Sequence, residues 1–312
     1  MPKIYIAGHR GMVGSALLRT AESRGFTDIV TRTHHQLDLL NAEDVDDFFV
    51  SERPSWVFLA AAKVGGILAN NTYRADFLLE NLKVQNNVIE SAYKHNVSKL
   101  LFLGSSCIYP KNAPQPIKEC DLLTSALEPT NEPYAIAKIA GIKLCGAFND
   151  QYGTNFISVM PSNLYGLGDN YHPENAHALP MLLRRFHEAK INKDKAVSVW
   201  GTGYPRREFL FADDMAEACF YLMENYNADE IGELINVGTG EDISIRDLAL
   251  LIKKVVGYEG DLVFDTTKQD GTMLKRMDVK LLEKLGWKYK THLENGIRQT
   301  YEDFLNNPET RK

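Results

Sequence analysis

Short apolar runs alternate with stretches of helical periodicity along the first half of the chain. The apolar runs that we interpret as strands cover residues 3–7, 28–31, 56–62, 99–104 and 155–160. Val13, Leu17 and Ala21 recur at helical spacing after the first run. Gly25 suits the end of that helix. The repeated strand-helix order, with continuously apolar strands, predicts an α/β fold with a doubly wound parallel sheet.

Beyond Gly166 the pattern becomes less regular. The elements predicted there are a polar loop, a helix, a strand with a turn, and a return to the sheet, over residues 169–177, 179–189, 197–209 and 235–238. We therefore expect a first domain over residues 1–165, rejoined by segments around 205–240. Residues 166–312 are expected to form mainly a smaller C-terminal lobe over the cleft, and we expect this lobe to bind the substrate.

Composition narrows the function classes. Of the 312 residues, 44% are hydrophobic and 24% are charged, which is ordinary for a globular protein. The net charge of −6 leaves no basic excess for a phosphate backbone, so no nucleic-acid partner is expected. No apolar run approaches the roughly 20 residues that a membrane helix needs, so no membrane contact is expected.

The cysteines and the N-terminus indicate a compartment. Cys107, Cys120, Cys145 and Cys219 are scattered without a metal-type spacing, so reduced thiols and no metal site are expected. The first predicted strand follows Met1 almost at once, which leaves no room for a signal peptide. We therefore expect a cytoplasmic protein.

A glycine-rich loop joins the first predicted strand to the first helix. It consists of three glycines and four intervening residues: Gly8, His9, Arg10, Gly11, Met12, Val13 and Gly14. Glycines let the backbone approach a pyrophosphate, and the N-terminus of the following helix favours its negative charge. The strand-loop-helix context predicts a dinucleotide site of Rossmann type, whereas a glycine turn selected only for tightness is the alternative.

The second predicted strand ends in basic residues, where NAD sites usually carry an acidic one. Arg32, His34 and His35 follow this strand, and Arg10 lies in the glycine loop. Together these groups form a cationic pocket suited to a 2′-phosphate. The sequence therefore favours NADP(H) over NAD, with a merely solvated Arg32 as the alternative.

Tyr134 and Lys138 lie four residues apart in a segment that predicts a helix. Thr130 or Asn131 can cap this helix, and Pro133 is tolerated in its first turn. An ammonium on the same helical face stabilises a phenolate and lowers the phenol's pKa from about 10, which predicts a proton donor near neutral pH. An ordinary surface Tyr/Lys pair is the alternative.

Hydroxyl groups follow the fourth predicted strand. Ser105 and Ser106 come directly after Gly104, at the strand's C-terminal end. Ligands of open α/β sheets bind at this edge, where a hydroxyl can donate to a substrate oxygen. The sequence thus predicts a further polar group close to the dinucleotide site.

Together these motifs resemble the extended short-chain dehydrogenase/reductases and, within them, the GDP-L-fucose synthases. The strings that carry the narrower resemblance cover residues 7–14, 62–67, 104–110, 128–138 and 200–203. The wider resemblance adds residues 163–166, 207–209 and 236–238, and the whole match runs from residue 3 to about 305. It implies that GDP-4-keto-6-deoxy-D-mannose is epimerised at C3 and C5 and then reduced at C4 by NADPH to GDP-L-fucose.

The resemblance also implies catalytic roles. Cys107 matches the base and His177 the acid of the epimerisations. Tyr134 matches the general acid that protonates the C4 oxygen, and Ser105 shares the hydrogen bond to that oxygen. Lys138 matches the residue that holds the nicotinamide ribose and lowers the pKa of the tyrosine.

Binding residues follow from the same match. Those for the nucleotide sugar are Arg185, Trp200, Arg207 and Asp270, of which the arginines suit a diphosphate. Those for the cofactor are the residues of the glycine loop with Arg32, His34, Gly104, Ser105, Ser106, Lys138, Pro161, Asn163, Leu164 and His177. Family members can carry an arginine where this chain has His34, so a weaker grip on the 2′-phosphate is expected. They are also homodimers, and the helices around Tyr134 and Leu82 are the candidate interface.

Three rival functions remain open at this point. The first is a redox-neutral nucleotide-sugar epimerase that retains NAD, and it predicts no net consumption of NADPH. The second is a GDP-keto-sugar reductase without the double epimerisation, in which replacing Cys107 leaves the product unchanged. The third is a nucleotide-sensing protein without chemistry, which would tolerate the loss of Tyr134 or Lys138.

Overall fold

The computed structural model describes residues 1–173 and 176–307. Its strands are β1 (Ile4–Ala7), β2 (Ile29–Val30), β3 (Trp56–Leu59), β4 (Lys99–Leu103), β5 (Phe156–Pro161), β6 (Asn163–Tyr165), β7 (Ala196–Trp200), β8 (Arg206–Arg207), β9 (Phe209–Phe211), β10 (Ile235–Val237), β11 (Ile243–Ser244), β12 (Asp261–Asp265) and β13 (Leu274–Lys275). Its α-helices are α1 (Met12–Ser23), α2 (Ala42–Glu52), α3 (Ile67–Thr72), α4 (Arg74–Lys94), α5 (Glu132–Tyr152), α6 (Ala178–Asn192), α7 (Ala212–Asn225), α8 (Ala228–Ile231), α9 (Ile245–Val256), α10 (Lys280–Lys284) and α11 (Leu293–Asn306). Short 3₁₀ turns cover Ser106–Ile108 and Glu119–Asp121.

The large sheet has six strands in the order β10-β5-β4-β3-β1-β2, and all neighbouring pairs are parallel. Successive residues of β1 point to opposite faces, so Ile4 and Ile6 enter one core and Tyr5 and Ala7 the other. Helices α1 and α7 cover the first face, and α2, α4 and α5 cover the second. Burial on both faces requires the continuously apolar strands, and the predicted doubly wound parallel sheet is confirmed.

The C-terminal part of the chain adds small sheets and a third core. Strand β7 pairs with β12, β6 pairs with β9, and β8 lies between β11 and β13. Helices α6, α9 and α11 enclose apolar side chains such as Leu183, Phe186 and Ile252. Strand β10 returns to the edge of the large sheet beside β5, as the sequence predicts.

Two details of the sequence interpretation differ from the structure. Strand β3 ends at Leu59 instead of continuing to residue 62, because the next residues leave the sheet to line a cavity beside the glycine loop. On α4, Leu78 and Leu82 are only half-buried, whereas Phe77 and Asn81 are buried.

The start of α5 also differs from the expectation. Asn131 is the N-cap residue, but its side chain makes no capping hydrogen bond, while Pro133 lies in the first turn as predicted. Within residues 1–173 and 176–307, no helix is both long enough and apolar enough to cross a membrane.

Candidate active site

The turn of the glycine loop requires two of its three glycines. Gly8 has φ +86°, and a Cβ there would lie 2.7 Å from the backbone nitrogen of Ala61. A Cβ on Gly14 would lie 2.0 Å from the Gly8 carbonyl oxygen, so the loop cannot close around a side chain at that position. At Gly11, the N-cap of α1, a Cβ would meet only the Gly8 oxygen at 3.5 Å. The space at Gly11 and the first amides of α1 fit a dinucleotide pyrophosphate.

A cavity of about 360 Å³ lies beside this loop, at the end of β2. Arg32 and His34 line it, as the sequence predicts for the cofactor, and so do Asp38, Ala61 and Lys63, which are not among the predicted cofactor residues. Apolar walls combined with cationic side chains fit an adenosine that carries a 2′-phosphate.

The cationic side chains predicted for this cavity differ in their exposure and in the partners they already have. Arg32 forms an ion pair with Glu52, and its guanidinium lies 5.4 Å from the centre of the Phe48 ring. The side chain of His34 is 74% exposed, with Nδ1 3.7 Å from the carboxylate of Asp38. Any 2′-phosphate contact by Arg32 therefore competes with Glu52.

The remaining loop residues surround the helix start. Arg10 is exposed, whereas His9, Met12 and Val13 are half-buried. Partial burial, with the nearby charge of Arg10, lowers the pKa of His9. His9 is therefore neutral at pH 7, and Arg10 supplies the positive charge of this loop.

Ser105 lies at the C-terminal end of β4, where the chain enters a 3₁₀ turn. Its hydroxyl accepts a hydrogen bond of 3.4 Å from the backbone amide of Cys107, which caps the turn that carries the thiol. Ser106 is buried within the turn, and the amide of Gly104 bonds to β5. The sheet edge thus presents a hydroxyl and a thiol side by side.

Helix α5 brings Tyr134 and Lys138 to the same place. Lys138 is buried, its Nζ donates a 2.8 Å hydrogen bond to the carbonyl oxygen of Leu103, and it lies 5.8 Å from the centre of the Tyr134 ring. Desolvation lowers the pKa of Lys138 to about 8, although the Cys107 thiolate opposes this effect. The structure thus brings together the serine, tyrosine and lysine that the sequence predicted.

The sequence predicts a lowered pKa for Tyr134, and this prediction is wrong. Desolvation, with the negative charge of Cys107, raises the pKa of Tyr134, and a hydrogen bond with Ser105 only partly offsets the rise. The phenol therefore keeps its proton at neutral pH, as a proton donor must.

Cys107 and His177 are held by different segments. Cys107 is 8% exposed in the 3₁₀ turn, and His177 is the N-cap residue of α6. Desolvation raises the pKa of the Cys107 thiol, while the nearby ammonium groups of Lys275 and Lys138 lower it. His177 is exposed at the start of α6, and desolvation, together with the charge of Lys275, lowers its pKa. The sequence interpretation missed Lys275, whose positive charge lowers the pKa of both residues.

The residues after β5 belong to the same sheet edge. Pro161 is buried at the end of β5, and Leu164 packs against the core beneath it. The side-chain amide of Asn163 donates a 2.7 Å hydrogen bond to the carbonyl oxygen of Glu208. The assignment of these residues to the cofactor stays a prediction.

Three of the predicted substrate residues form a platform at the end of β7. The guanidinium of Arg185 lies 4.8 Å from the centre of the Trp200 ring, and the ring is 53% exposed. The carboxylate of Asp270 accepts hydrogen bonds from the amide and the hydroxyl of Thr202, at 2.9 and 2.6 Å. An exposed aromatic face beside cations suits stacking of a nucleobase, whereas Asp270 is already engaged in closing the turn.

Arg207 lies on β8, and its guanidinium donates to the carbonyl oxygen of Thr272. The next residue, Glu208, is 1% exposed and was not predicted. Its Oε1 accepts from the amides of Thr239 and Gly240, and its Oε2 accepts from the amide of Met277 at 2.7 Å. This carboxylate thus holds the backbone at residues 239–240 and at residue 277 close to β8. No motif or periodicity in the sequence indicates this structural role.

Comparison with known proteins identifies the class. A family model described as the NAD dependent epimerase/dehydratase family matches residues 4–238. The chain belongs to this family.

Particular relatives are more similar still. The chain is 59% identical over 305 residues to GDP-L-fucose synthase 1 of Arabidopsis thaliana, covering 98% of this chain and 94% of that protein. It is 56% identical over 311 residues to GDP-L-fucose synthase of Escherichia coli K12, covering 98% of this chain and 97% of that protein. A solved structure titled MlghC, GDP-mannoheptose C4 reductase from Campylobacter jejuni with NADP bound, matches with TM-score 0.90 and 43% identity, over 97% of this chain and 98% of that one.

Proposed function

We propose that this protein converts GDP-4-keto-6-deoxy-D-mannose to GDP-L-fucose, by epimerisation at C3 and C5 and NADPH-dependent reduction at C4. The observation that carries the proposal is the meeting of Ser105, Cys107, Tyr134 and Lys138 at one edge of the sheet. The full-length similarity to proteins named GDP-L-fucose synthase supports the same reaction.

NADP(H) is the cofactor in this proposal. The glycine loop and the first amides of α1 would hold its pyrophosphate, and Arg10, Arg32 and His34 its 2′-phosphate. Lys138 would hold the nicotinamide ribose. When bound, NADPH supplies the hydride that reduces the C4 carbon.

Tyr134 and Ser105 act on the oxygen at C4. The Tyr134 phenol carries its proton at neutral pH, so it can protonate the oxygen as negative charge develops there. Ser105 donates a second hydrogen bond to that oxygen, which also stabilises an enolate during epimerisation. One pair of donors thereby serves both halves of the reaction.

Epimerisation needs a base and an acid on opposite faces of the sugar ring. The C4 ketone acidifies the protons at C3 and C5. At each centre the Cys107 thiolate would remove the proton, and His177 would deliver a proton to the opposite face. Cys107 and His177 belong to segments distant in the chain, which suits two groups that approach the sugar from different directions.

The nucleotide part of the substrate is assigned to the C-terminal lobe. Arg207 and Arg185 bind the diphosphate through charge-assisted hydrogen bonds, and Trp200 stacks on the base. Asp270 supports this platform through Thr202. We also propose that residues 1–165, rejoined by segments around 205–240, form the cofactor-binding domain. Residues 166–312 would mainly form the lobe that binds the nucleotide sugar.

The test mixes purified protein, NADPH and GDP-4-keto-6-deoxy-mannose, follows the absorbance of the reduced nicotinamide, and separates the products. We expect stoichiometric loss of NADPH with formation of GDP-L-fucose. Cys107→Ser should stall epimerisation and spare NADPH binding, since serine is a far weaker base than a thiolate. Undiminished GDP-L-fucose formation by Cys107→Ser would place the base elsewhere.

A GDP-keto-sugar C4 reductase is the second candidate, favoured by the similarity to the Campylobacter heptose reductase. That function predicts loss of NADPH with a product whose C3 and C5 configurations are unchanged. In that case Tyr134 keeps its role, and the assignments of Cys107 and His177 are withdrawn.

We further propose that the protein acts in the cytoplasm as a homodimer. Leu79 on α4 and Ile136 on α5 are exposed apolar side chains on adjacent helices, which suits a helical interface. Sedimentation of the wild type and of a variant with charged residues at both positions tests the dimer; a monomeric wild type would refute it.

A further inference from the structure

A second cavity, of about 320 Å³, lies between the loop after β3, the start of α4 and the loop after β6. Phe77 of α4 lines this cavity, and its ring meets the ring of Tyr134 edge-on, with 6.3 Å between the ring centres. The proposed proton donor to the C4 oxygen therefore lies one ring away from the cavity. Neither the cofactor nor the GDP part of the substrate is assigned to this cavity.

The wall to which Phe77 belongs is apolar and tightly packed. Gly65 and Ala69 complete it, and a Cβ added at Gly65 would lie 3.0 Å from the Cβ of Ala69 and 3.2 Å from Cζ of Phe77. The side-chain amide of Asn70, which is buried, donates to the carbonyl oxygens of Gly65 and Gly66 at 2.7 and 3.1 Å. The wall is therefore fixed by its own packing and by a buried amide.

Two further apolar side chains of the cavity remain in contact with water. Val64 is 65% exposed and Tyr73 is 56% exposed, and both line the cavity. Exposed apolar side chains that border a concave surface indicate a ligand site, because a bound ligand removes them from water. An apolar part of a ligand therefore fits this cavity.

The loop after β6 contributes polar groups. Asn170 and His172 line the cavity there. Tyr171, between them, is buried; its hydroxyl donates to the carbonyl oxygen of Thr300 at 3.3 Å, and its own carbonyl oxygen accepts from Arg184 at 2.9 Å. A carboxamide and an imidazole can each form a hydrogen bond with a hydroxyl group, and the anchored loop keeps both at the cavity.

We propose that this cavity receives C6 of the keto-sugar and accepts groups larger than methyl there, so that the protein also reduces GDP-4-keto-sugars extended at C6; this inference rests on the proposed function. Two carbons adjoin C4 in the substrate: C3 carries a hydroxyl group, and C5 carries the C6 methyl group. With the C4 oxygen at Tyr134, the apolar wall favours the methyl side, because a hydroxyl group placed there would lose its hydrogen bonds to water. An added carbon, C7, lies three bonds from C4 and leaves the reacting carbon unchanged.

The cavity is larger than a methyl group requires. One water molecule takes about 30 Å³ of the liquid, and a methyl or hydroxyl group is of similar size. A cavity of about 320 Å³ therefore holds the C6 methyl group with room for further atoms. A hydroxyl group on those atoms would find Asn170 and His172 as hydrogen-bond partners.

The test compares GDP-4-keto-6-deoxy-mannose with its seven-carbon homologue, in which a CH₂OH group replaces one hydrogen of the C6 methyl group. The loss of NADPH gives kcat/KM for each sugar, and separation of the products identifies the reduced heptose. We expect kcat/KM of the homologue to lie within about tenfold of that of the hexose, because a site without room for one more carbon discriminates by about tenfold or more. A larger decrease would overturn the proposal.

Val64→Phe narrows the cavity and should lower kcat/KM of the homologue about tenfold more than that of the hexose. Val50→Phe on α2 is the matched control, since Val50 is 49% exposed and lies outside the cavity, and it should leave the ratio of the two constants unchanged. NADPH binding checks the fold of each variant, and Ala69→Leu narrows the cavity from the other wall if Val64→Phe fails that check. An equal decrease for both sugars in a folded variant would mean that the cavity does not receive C6.

The two sugars also separate this inference from the function on which it rests. If neither sugar causes loss of NADPH, the proposed function fails. If the hexose is reduced and the homologue is not, the function stands and only the assignment of the cavity is withdrawn. If both are reduced without inversion at C3 and C5, the protein is the C4 reductase of the second candidate function, and the ratio still reports on the cavity.

Discussion

Lys138 and Lys275 are two lysines of the cleft that are held in different ways. Lys138 lies on the long helix α5, packed against the large sheet, with its Nζ bonded to the carbonyl oxygen of Leu103. Lys275 lies on a strand of two residues, and the residues after it, Arg276 and Met277, bond to the loop after Cys107 and to Glu208. The first lysine is positioned by a core, and the second by a few polar contacts.

The difference separates two parts of the site. The part built on the large sheet holds the cofactor residues with Tyr134 and Lys138, and packing on two apolar cores stabilises it. The part built around β8 and β13 holds Arg207 and Lys275, and polar groups stabilise it. We therefore expect a mutation in one part to leave the function of the other largely intact.

The largest effect should come from the sheet side. Tyr134→Phe removes the proton donor to the C4 oxygen and should lower the rate of reduction about 1,000-fold, within the range for general acid catalysis. NADPH binding should persist, and exchange of the C3 and C5 protons with deuterium from the solvent should fall less than reduction does, since Ser105 still donates to the enolate oxygen and Cys107 is untouched.

Tyr152→Phe is the matched control for this variant, because Tyr152 ends the same helix and is half exposed. It should reduce the keto-sugar at the normal rate. Undiminished reduction by Tyr134→Phe would remove the tyrosine from the mechanism.

The glycine loop offers the next largest effect. Gly14→Ala places a Cβ 2.0 Å from the Gly8 oxygen and should destabilise the fold by about 3 kcal/mol, as severe overpacking does. Gly11→Ala has room for its Cβ and should keep the melting temperature. Its NADPH affinity should still fall, since the methyl group occupies the space assigned to the pyrophosphate.

Thermal melting and NADPH fluorescence measure these two quantities separately. Equal melting temperatures for the two variants would mean that the loop relaxes around Gly14. Unchanged NADPH affinity in Gly11→Ala would mean that the cofactor does not approach that glycine.

The two parts of the site also differ in how far the sequence predicts them. The glycine loop, Ser105 and the Tyr134/Lys138 pair each lie within a few residues of one turn, so local rules of turns and helices are enough to find them. Lys275 and Glu208 acquire their roles from contacts with residues far away in the chain, such as Gln115 and Thr239. No local pattern records those contacts.

The pKa of Tyr134 was mispredicted for a related reason. Its spacing from Lys138 is visible in the sequence, but the burial that raises its pKa depends on the folded cleft. The sequence thus indicates which charged groups can lie near a titrating side chain. It does not show how far folding removes that side chain from water.

The smallest predicted effect tests the polar part of the site directly. Glu208→Gln keeps the shape of the side chain but turns one acceptor into an amide that donates. The oxygen can still accept from Thr239 and Gly240, whereas the NH₂ group then faces the amide of Met277. An unsatisfied buried donor should cost about 1–3 kcal/mol of stability.

Because these contacts hold the backbone beside Arg207, Glu208→Gln should also weaken binding of the nucleotide sugar, while NADPH affinity stays unchanged. Glu283→Gln on α10, an exposed carboxylate near the same segment, is the control and should change neither quantity. Unchanged binding of the nucleotide sugar would mean that the other hydrogen bonds suffice to hold β8 and β13. A parallel loss of NADPH affinity would mean that the two parts of the site are mechanically coupled, and the comparison between the two lysines would then fail.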